Sequence, residues 1–479
     1  MKKISFMQLI FLTMAYFASV RRIPNIAYAG WESVFFMIFA VLMFVIPISF
    51  VSAELATAMP EDGGLSVWIS RALSPRFGFL AAWLVWIQMC FGMVTVGAAF
   101  ADMIATIVGA KSLLSNDFFI GIIVISIFWL ITFLIIKGVP ITAISTYGTI
   151  IGLFIPLAVL LIFGTVFAFT HNPGVFTPPT ADKIFPDLSD LGTLSKLSGI
   201  IFLFAGMEQA SNFANRIDKP RKNYPRAIIL ATCLTAGLFT YAGLVTDALV
   251  AEGSIALADP AQVFSVMFSG WNLPWVTAVI AGMIALSCIT EISAWTVGPS
   301  RGMLRCAREG TLPPVFQKTN RHDIPVALMI LQAVIVTGIA LIFVFIPGTN
   351  GVFNTILTMA VALYCIVYIF IILSGIIYRK RHPNEKRAFQ IPGGKFGMWL
   401  TSIVGLVGIA FVIFTSFIPP ESLKPSEYPT YILFMLLGII VLVAIPLVIY
   451  RLRKPSWKQE APAPAAGTAA QAGTSGRSS

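Results

Sequence analysis

The chain is a succession of apolar runs, each about as long as a bilayer is thick and each closed by glycine, proline or charge. A helix needs about 20 mostly apolar residues to cross a membrane. Counted this way, the runs give twelve spans, near residues 5–29, 33–58, 77–108, 117–136, 141–169, 193–215, 223–250, 273–300, 324–346, 351–378, 397–418 and 430–450. They are continuous rather than alternating, which excludes a transmembrane barrel. Of the 479 residues 57% are hydrophobic and 11% charged, where an average soluble domain carries about a quarter charged. That is too little charge to coat the domains into which a soluble chain of this length would divide. A soluble enzyme, a disordered chain and a nucleic-acid binder are excluded. The fold class is an all-α polytopic membrane protein.

Placement of charge gives the orientation. With the N-terminus inside, 25 of the 32 Lys and Arg fall in segments on the cytoplasmic side, and four (Lys111, Lys183, Lys196, Lys424) on the other. This satisfies the positive-inside rule and predicts an even span count with both termini cytoplasmic. The five cysteines, Cys90, Cys233, Cys288, Cys306 and Cys365, lie in or beside apolar stretches without metal-ligand spacing, which argues against disulfides or a zinc site. His171, His322 and His382 fall in predicted loops, so no intramembrane histidine relay is expected. Met1-Lys2-Lys3 before an apolar stretch imitates a signal peptide, but Arg21-Arg22 follows without a mature soluble domain. The Ala/Pro/Gly/Ser-rich segment from about Glu460 is expected to be a disordered tail.

Two spans are interrupted. In the first, Ala18-Ser19-Val20 precedes Arg21-Arg22-Ile23-Pro24; in the sixth, Phe202-Leu203-Phe204-Ala205-Gly206-Met207-Glu208 puts a glycine and a carboxylate in the apolar run. A helix broken at mid-membrane offers N–H groups to a carboxylate and C=O groups to an ammonium or cation. Breaks five spans apart predict two inverted repeats of five spans plus two extra helices. The organisation expected is residues 1–192, 193–380 and 381–458 for the two repeats and the last spans, and 459–479 for the tail. The competing explanation is that Ala18, Ser19 and Gly206 are small contacts where helices pack closely.

Ionisable groups inside a membrane need a reason, since one at bilayer centre costs about 2.5–3.5 kcal/mol or more. Glu208 and Glu291 sit deepest among the carboxylates, while Glu54, Asp102 and Asp247 lie nearer span ends. Glu291 and Trp295, four residues apart, share a helix face and together suit an amino group, by charge pairing and cation–π attraction. The alternative for either glutamate is a structural hydrogen bond to a broken helix. Arg21 and Arg22 lie too far from a helix end to snorkel easily. Either they make a cavity attractive to an anionic side chain, or they pair internally with Glu208, Glu54 or Glu291.

Three stretches carry a family resemblance. They are Gly206-Met207-Glu208-Gln209-Ala210-Ser211 with Asp218-Lys219-Pro220-Arg221-Lys222-Asn223-Tyr224-Pro225; Glu291-Ile292-Ser293-Ala294-Trp295 through Gly302; and Arg387-Ala388-Phe389-Gln390-Ile391-Pro392-Gly393-Gly394-Lys395. The chain resembles the amino-acid/polyamine/organocation transporters and, within them, the bacterial glutamate/GABA antiporters, over about residues 5–455. The resemblance implies one-for-one exchange by alternating access in the bacterial inner membrane, by a monomer or homodimer, without cofactor or metal. It places a substrate α-carboxylate on the N–H groups of Ala18, Ser19 and Val20, and the α-ammonium on carbonyls of Phe204, Ala205 and Gly206. An aromatic at Phe202 closes over the substrate and Trp295 lines the pocket; Arg21, Glu208 and Glu291 complete the expected set.

Two features depart from the family pattern. Arg21-Arg22 stands where an aromatic and an acidic residue are expected before the proline, which points to an acidic amino acid or another anion. Nothing after Trp457 has the histidine and aromatic content of the antiporters' C-terminal plug, so their pH gate is not expected. The competing functions are a proton-coupled symporter, with Glu208 or Glu291 carrying the proton, and a transporter-like amino-acid sensor. Neither a catalytic constellation nor a channel filter is present in the sequence.

Overall fold

The computed structural model describes residues 3–458 apart from 62, 172–179, 188–192, 194–199, 202, 251–254, 256–258, 346–349, 386 and 420–424. Within them the backbone is satisfied almost wholly inside helices, as hydrocarbon requires. The one isolated β-bridge among the described residues joins Ile4 to Ile217.

In chain order the helices are α1 (Phe6–Phe17), α2 (Ile23–Ala27), α3 (Glu32–Ala58), α4 (Leu65–Ala72), α5 (Pro75–Val108), α6 (Asp117–Ile136), α7 (Ile141–His171), α8 (Pro220–Leu249), α9 (Gln262–Gly270), α10 (Trp275–Cys306), α11 (Val326–Phe345), α12 (Asn350–Arg381), α13 (Gly394–Ser416) and α14 (Tyr428–Arg451). Nine of the described helices are long and apolar enough to cross a membrane. They match nine of the twelve spans read from the sequence. Of the other three, one is the shorter apolar helix of α11 and one is the broken first span. Residues 194–199 of the sixth span lie outside the described residues, as do Phe202 and the tail. The short helices α4 and α9 lie between the spans read from the sequence.

Local sequence sets the ends and bends. Ser5 and Gln8 form a capping box that starts α1, with Ser5 N–H donating to Gln8 Oε1 at 3.0 Å. Asn116 Oδ1 accepts from Phe118 N–H at 3.0 Å and starts α6. Pro47 and Pro156, lacking an N–H, sit just after five-residue π-turns at Val41–Val45 and Ile150–Phe154.

Helices α5 and α10 pack along each other through the centre of the bundle. The most apolar window of α5 is 78% buried, whereas that of α14 is 11% buried, which puts α14 on the lipid side. One end of the bundle is tied together by polar contacts. Ile4 N–H donates to Arg216 O at 2.6 Å and Asp218 N–H to Ile4 O at 2.9 Å. Asp323 pairs with Arg216 and, at 3.4 Å, with Arg301. Glu61 pairs with Arg71 at 2.5 Å and Arg305 at 3.5 Å. At the other end Lys111 pairs with Asp259. Glu54, expected near an interface, is instead buried against Arg379 and Arg387 at 3.5 and 3.6 Å.

Candidate functional site

The first break falls where the small residues are. Helix α1 stops at Phe17; Ala18 (φ −83°, ψ 116°) and Ser19 (φ −147°, ψ 130°) are extended, and Val20–Arg22 resumes as a 3₁₀ turn. The 3₁₀ turn restarts with N–H groups that have no acceptor in a preceding turn, the usual condition at a helix start. In the sixth segment Leu203–Glu208 is a run of turns around Gly206, whose φ of +99° suits glycine alone. Gly206 N–H leaves the helical ladder and donates to Tyr368 Oη at 2.9 Å.

Trp295 joins the two breaks. Its Nε1–H donates to Tyr16 O at 2.7 Å, the carbonyl two residues before Ala18. Its ring meets Tyr16 edge-on with centroids 5.6 Å apart. The far edge of the indole lies over Gly206: a Cβ there would come within 2.5 Å of Trp295 Cζ2. Phe17 and Phe204 pack with centroids 6.0 Å apart. The interrupted segments are therefore neighbours in the protein interior, as the sequence predicts, and neither is a lipid-facing helix.

Beside this junction is a cavity of about 160 Å³. Among the described residues its wall includes Arg21, Arg22 and Asn25 from the first break, Ala205 from the second, Gln88, Met89 and Met93 from α5, and Glu291 and Trp295 from α10. Arg21 grips Glu291 at two points, Nε–Oε2 at 3.1 Å and Nη2–Oε1 at 2.8 Å. Arg22 Nη2 lies 3.6 Å from Glu291 Oε1. Of the internal partners open to the two arginines, the fold selects Glu291. The wall nonetheless holds two guanidiniums against one carboxylate, and both arginine side chains keep partial exposure, 17% and 14%.

The other expected site residues are placed differently. Ala18, Ser19, Val20, Phe204 and Gly206 are buried at the breaks behind that wall. Glu208 does not border the cavity. Fully buried, it accepts from Tyr364 Oη (2.5 Å), Tyr368 Oη (3.0 Å) and Gln209 Nε2 (2.7 Å), and its carbonyl accepts from Tyr224 Oη (3.1 Å). These partners give Glu208 a structural place, but on α12 and its own segment rather than on the other broken helix. Sequence reasoning missed Asn25 and Gln88, polar wall residues; Gln88 lies in the apolar stretch Phe77–Val94 of α5, where a single amide was the available signal.

Comparison with known proteins supplies the family. Residues 4–445 match the amino acid permease family. The chain belongs to that family. An uncharacterised transporter of Legionella pneumophila is 32% identical over 447 residues, covering 93% of this chain and 96% of that protein. A glutamate/gamma-aminobutyrate antiporter of Lactococcus lactis subsp. cremoris is 32% identical over 464 residues, covering 94% and 91%. A probable agmatine/putrescine antiporter of Lactococcus lactis is 25% identical, covering 81% and 82%. This permease is accordingly a multi-pass membrane transporter of small amino-acid-type substrates, and not an enzyme.

Proposed function

We propose that this permease exchanges an acidic amino acid such as glutamate for GABA or a related amino acid. It works by alternating access in the bacterial cytoplasmic membrane, with both termini inside. The observation that carries the proposal is the make-up of the cavity wall: two guanidiniums, Arg21 and Arg22, stand there with the single carboxylate of Glu291 among the described wall residues. At about 4 Å and an effective dielectric of about 20, a guanidinium is worth roughly 4 kcal/mol to an opposite charge. That favours a substrate carrying a second carboxylate over a neutral zwitterion. Of the three N–H groups expected to take the α-carboxylate, Ala18 N–H is already donated to Met14 O at 2.8 Å, which leaves those of Ser19 and Val20. Of the three carbonyls expected for the α-ammonium, Gly206 O already accepts from Gln209 N–H at 2.9 Å, which favours those of Phe204 and Ala205, in keeping with helix-end polarity.

The ends of the bundle support a cycle of opening and closing. The ties at one end, through Asp323 and Glu61, and the Lys111–Asp259 pair at the other are partly exposed ion pairs. Such pairs contribute about 0–1 kcal/mol each, so they add little to the cost of opening either end. The antiporter named among the relatives lends the substrate pair. Counterflow in proteoliposomes tests the proposal: labelled glutamate should enter vesicles loaded with GABA or glutamate and not empty ones. Equal entry into empty vesicles would overturn obligatory exchange, and uptake driven by an imposed pH gradient would mark proton symport instead.

A further inference from the structure

A second and larger cavity, of about 460 Å³, lies where the end of α12 meets the start of α13, away from the substrate cavity. Its wall carries four cations, Arg379, Lys380, Arg387 and Lys395, together with Trp399. This is the third stretch of the sequence resemblance, which the transport reading leaves without a role.

Among the described wall residues there is no carboxylate to match these cations. Arg379 and Arg387 share one carboxylate, Glu54, at 3.5 and 3.6 Å, and Glu54 also accepts Ile391 N–H at 2.9 Å. Arg387 is further fixed by donating Nη2 to His382 O at 2.6 Å. Lys380 and Lys395 are exposed and make no ion pair among the described residues. Two guanidiniums held at Glu54 beside two exposed ammoniums form a site for phosphate oxygens.

The surroundings identify the source of the phosphate. Lys395, Trp399 and Ile403 follow one another at intervals of four on α13 and so lie on one face. Trp399 is 56% and Ile403 54% exposed, and Phe396 beside them is 75% exposed. Over about 12 Å of helix the face passes from ammonium through indole to aliphatic side chain. That is the polarity sequence of a bilayer lipid read from headgroup to chain, with tryptophan at the interfacial level. We infer that this cavity holds the phosphate of an anionic phospholipid, with its acyl chain against Trp399 and Ile403. Basic pockets at the ends of membrane helices bind such headgroups.

The test uses the full-length protein in detergent, with phosphatidylglycerol, phosphatidylcholine and inorganic phosphate as separate probes. Binding is read by native mass spectrometry and by the shift in melting temperature. Phosphatidylglycerol should be retained and should raise the melting temperature, while phosphatidylcholine should do neither. Lys380→Ala with Lys395→Ala should weaken phosphatidylglycerol binding roughly thirtyfold, and Lys380→Arg with Lys395→Arg should restore it. If the double alanine variant fails to fold, each single alanine variant should still lose roughly fivefold. Wild-type retention by the alanine variants would overturn the site. Equal stabilisation by millimolar inorganic phosphate, with displacement of the lipid, would overturn the lipid as its occupant.

Discussion

Arg21 and Glu291, 270 residues apart in the chain, meet in a two-point ion pair beside the break in the first helix. The pair fixes the broken segment to the middle of α10, and Arg22 shares the same carboxylate oxygen at 3.6 Å. One anion thus holds two cations in place at the wall of the cavity.

Removing that anion should therefore cost more than removing one cation. Glu291→Gln leaves two guanidiniums facing each other, and breaking a buried pair in this way costs about 3–5 kcal/mol. The melting temperature of the purified variant should fall well below that of Arg21→Ala. Combining Arg21→Ala with Glu291→Gln should recover part of the loss; no recovery would mean the two side chains are not energetically coupled.

Gly206 has no room for a side chain. Its positive φ strains any other L-residue, and a Cβ would press on the Trp295 ring. Gly206→Ala should displace Trp295 and abolish exchange even where protein reaches the membrane. Near-normal counterflow by this variant would show that the second break does not depend on glycine.

Trp295 is predicted to act through both its ring and its N–H. Trp295→Ala should weaken glutamate binding by at least tenfold and lower stability by about 3–5 kcal/mol. Trp295→Phe keeps most of the packing and loses the bond to Tyr16 O, worth about 1 kcal/mol. Equilibrium binding on both variants decides this, since unchanged affinity in Trp295→Ala would remove it from the pocket.

Glu208 should behave as a structural carboxylate. Its oxygens accept from Tyr364, Tyr368 and Gln209, and Glu208→Gln would set an amide N–H against a donor. Stability should drop by about 1–3 kcal/mol, while the glutamate-to-GABA preference of the surviving protein stays at the wild-type ratio. A changed ratio would give Glu208 a direct part in substrate choice.

The breaks were legible in the sequence because each needs residues that ordinary membrane helices use sparingly in combination. Ala18-Ser19 before a proline, and Gly206 beside a carboxylate, announce a backbone that leaves the helix. The long spans were legible from hydropathy alone, and α10 simply continues past Ser300 as a helix to Cys306. The choice among Glu54, Glu208 and Glu291 as partner of the arginines was not legible, because all three are lone carboxylates in apolar runs and only packing separates them. Nor was the tyrosine cage of Glu208: Tyr364 and Tyr368 sit one turn apart in α12 with nothing local to show which helix they face. Gln88 and Asn25 escaped for a related reason. A single amide carries no periodicity, and the cavity it borders is assembled from segments far apart in the chain.

The selectivity of Arg21→Ala is the most direct test of a positively charged substrate site. Initial exchange rates with external glutamate and external GABA should be compared in proteoliposomes containing wild type or variant, each loaded with GABA. Loss of a hydrogen-bonded charge of this kind is worth about 1.5–3 kcal/mol, so glutamate exchange should fall at least tenfold more than GABA exchange. Equal losses for the two substrates would contradict the account and leave Arg21 as a structural partner of Glu291.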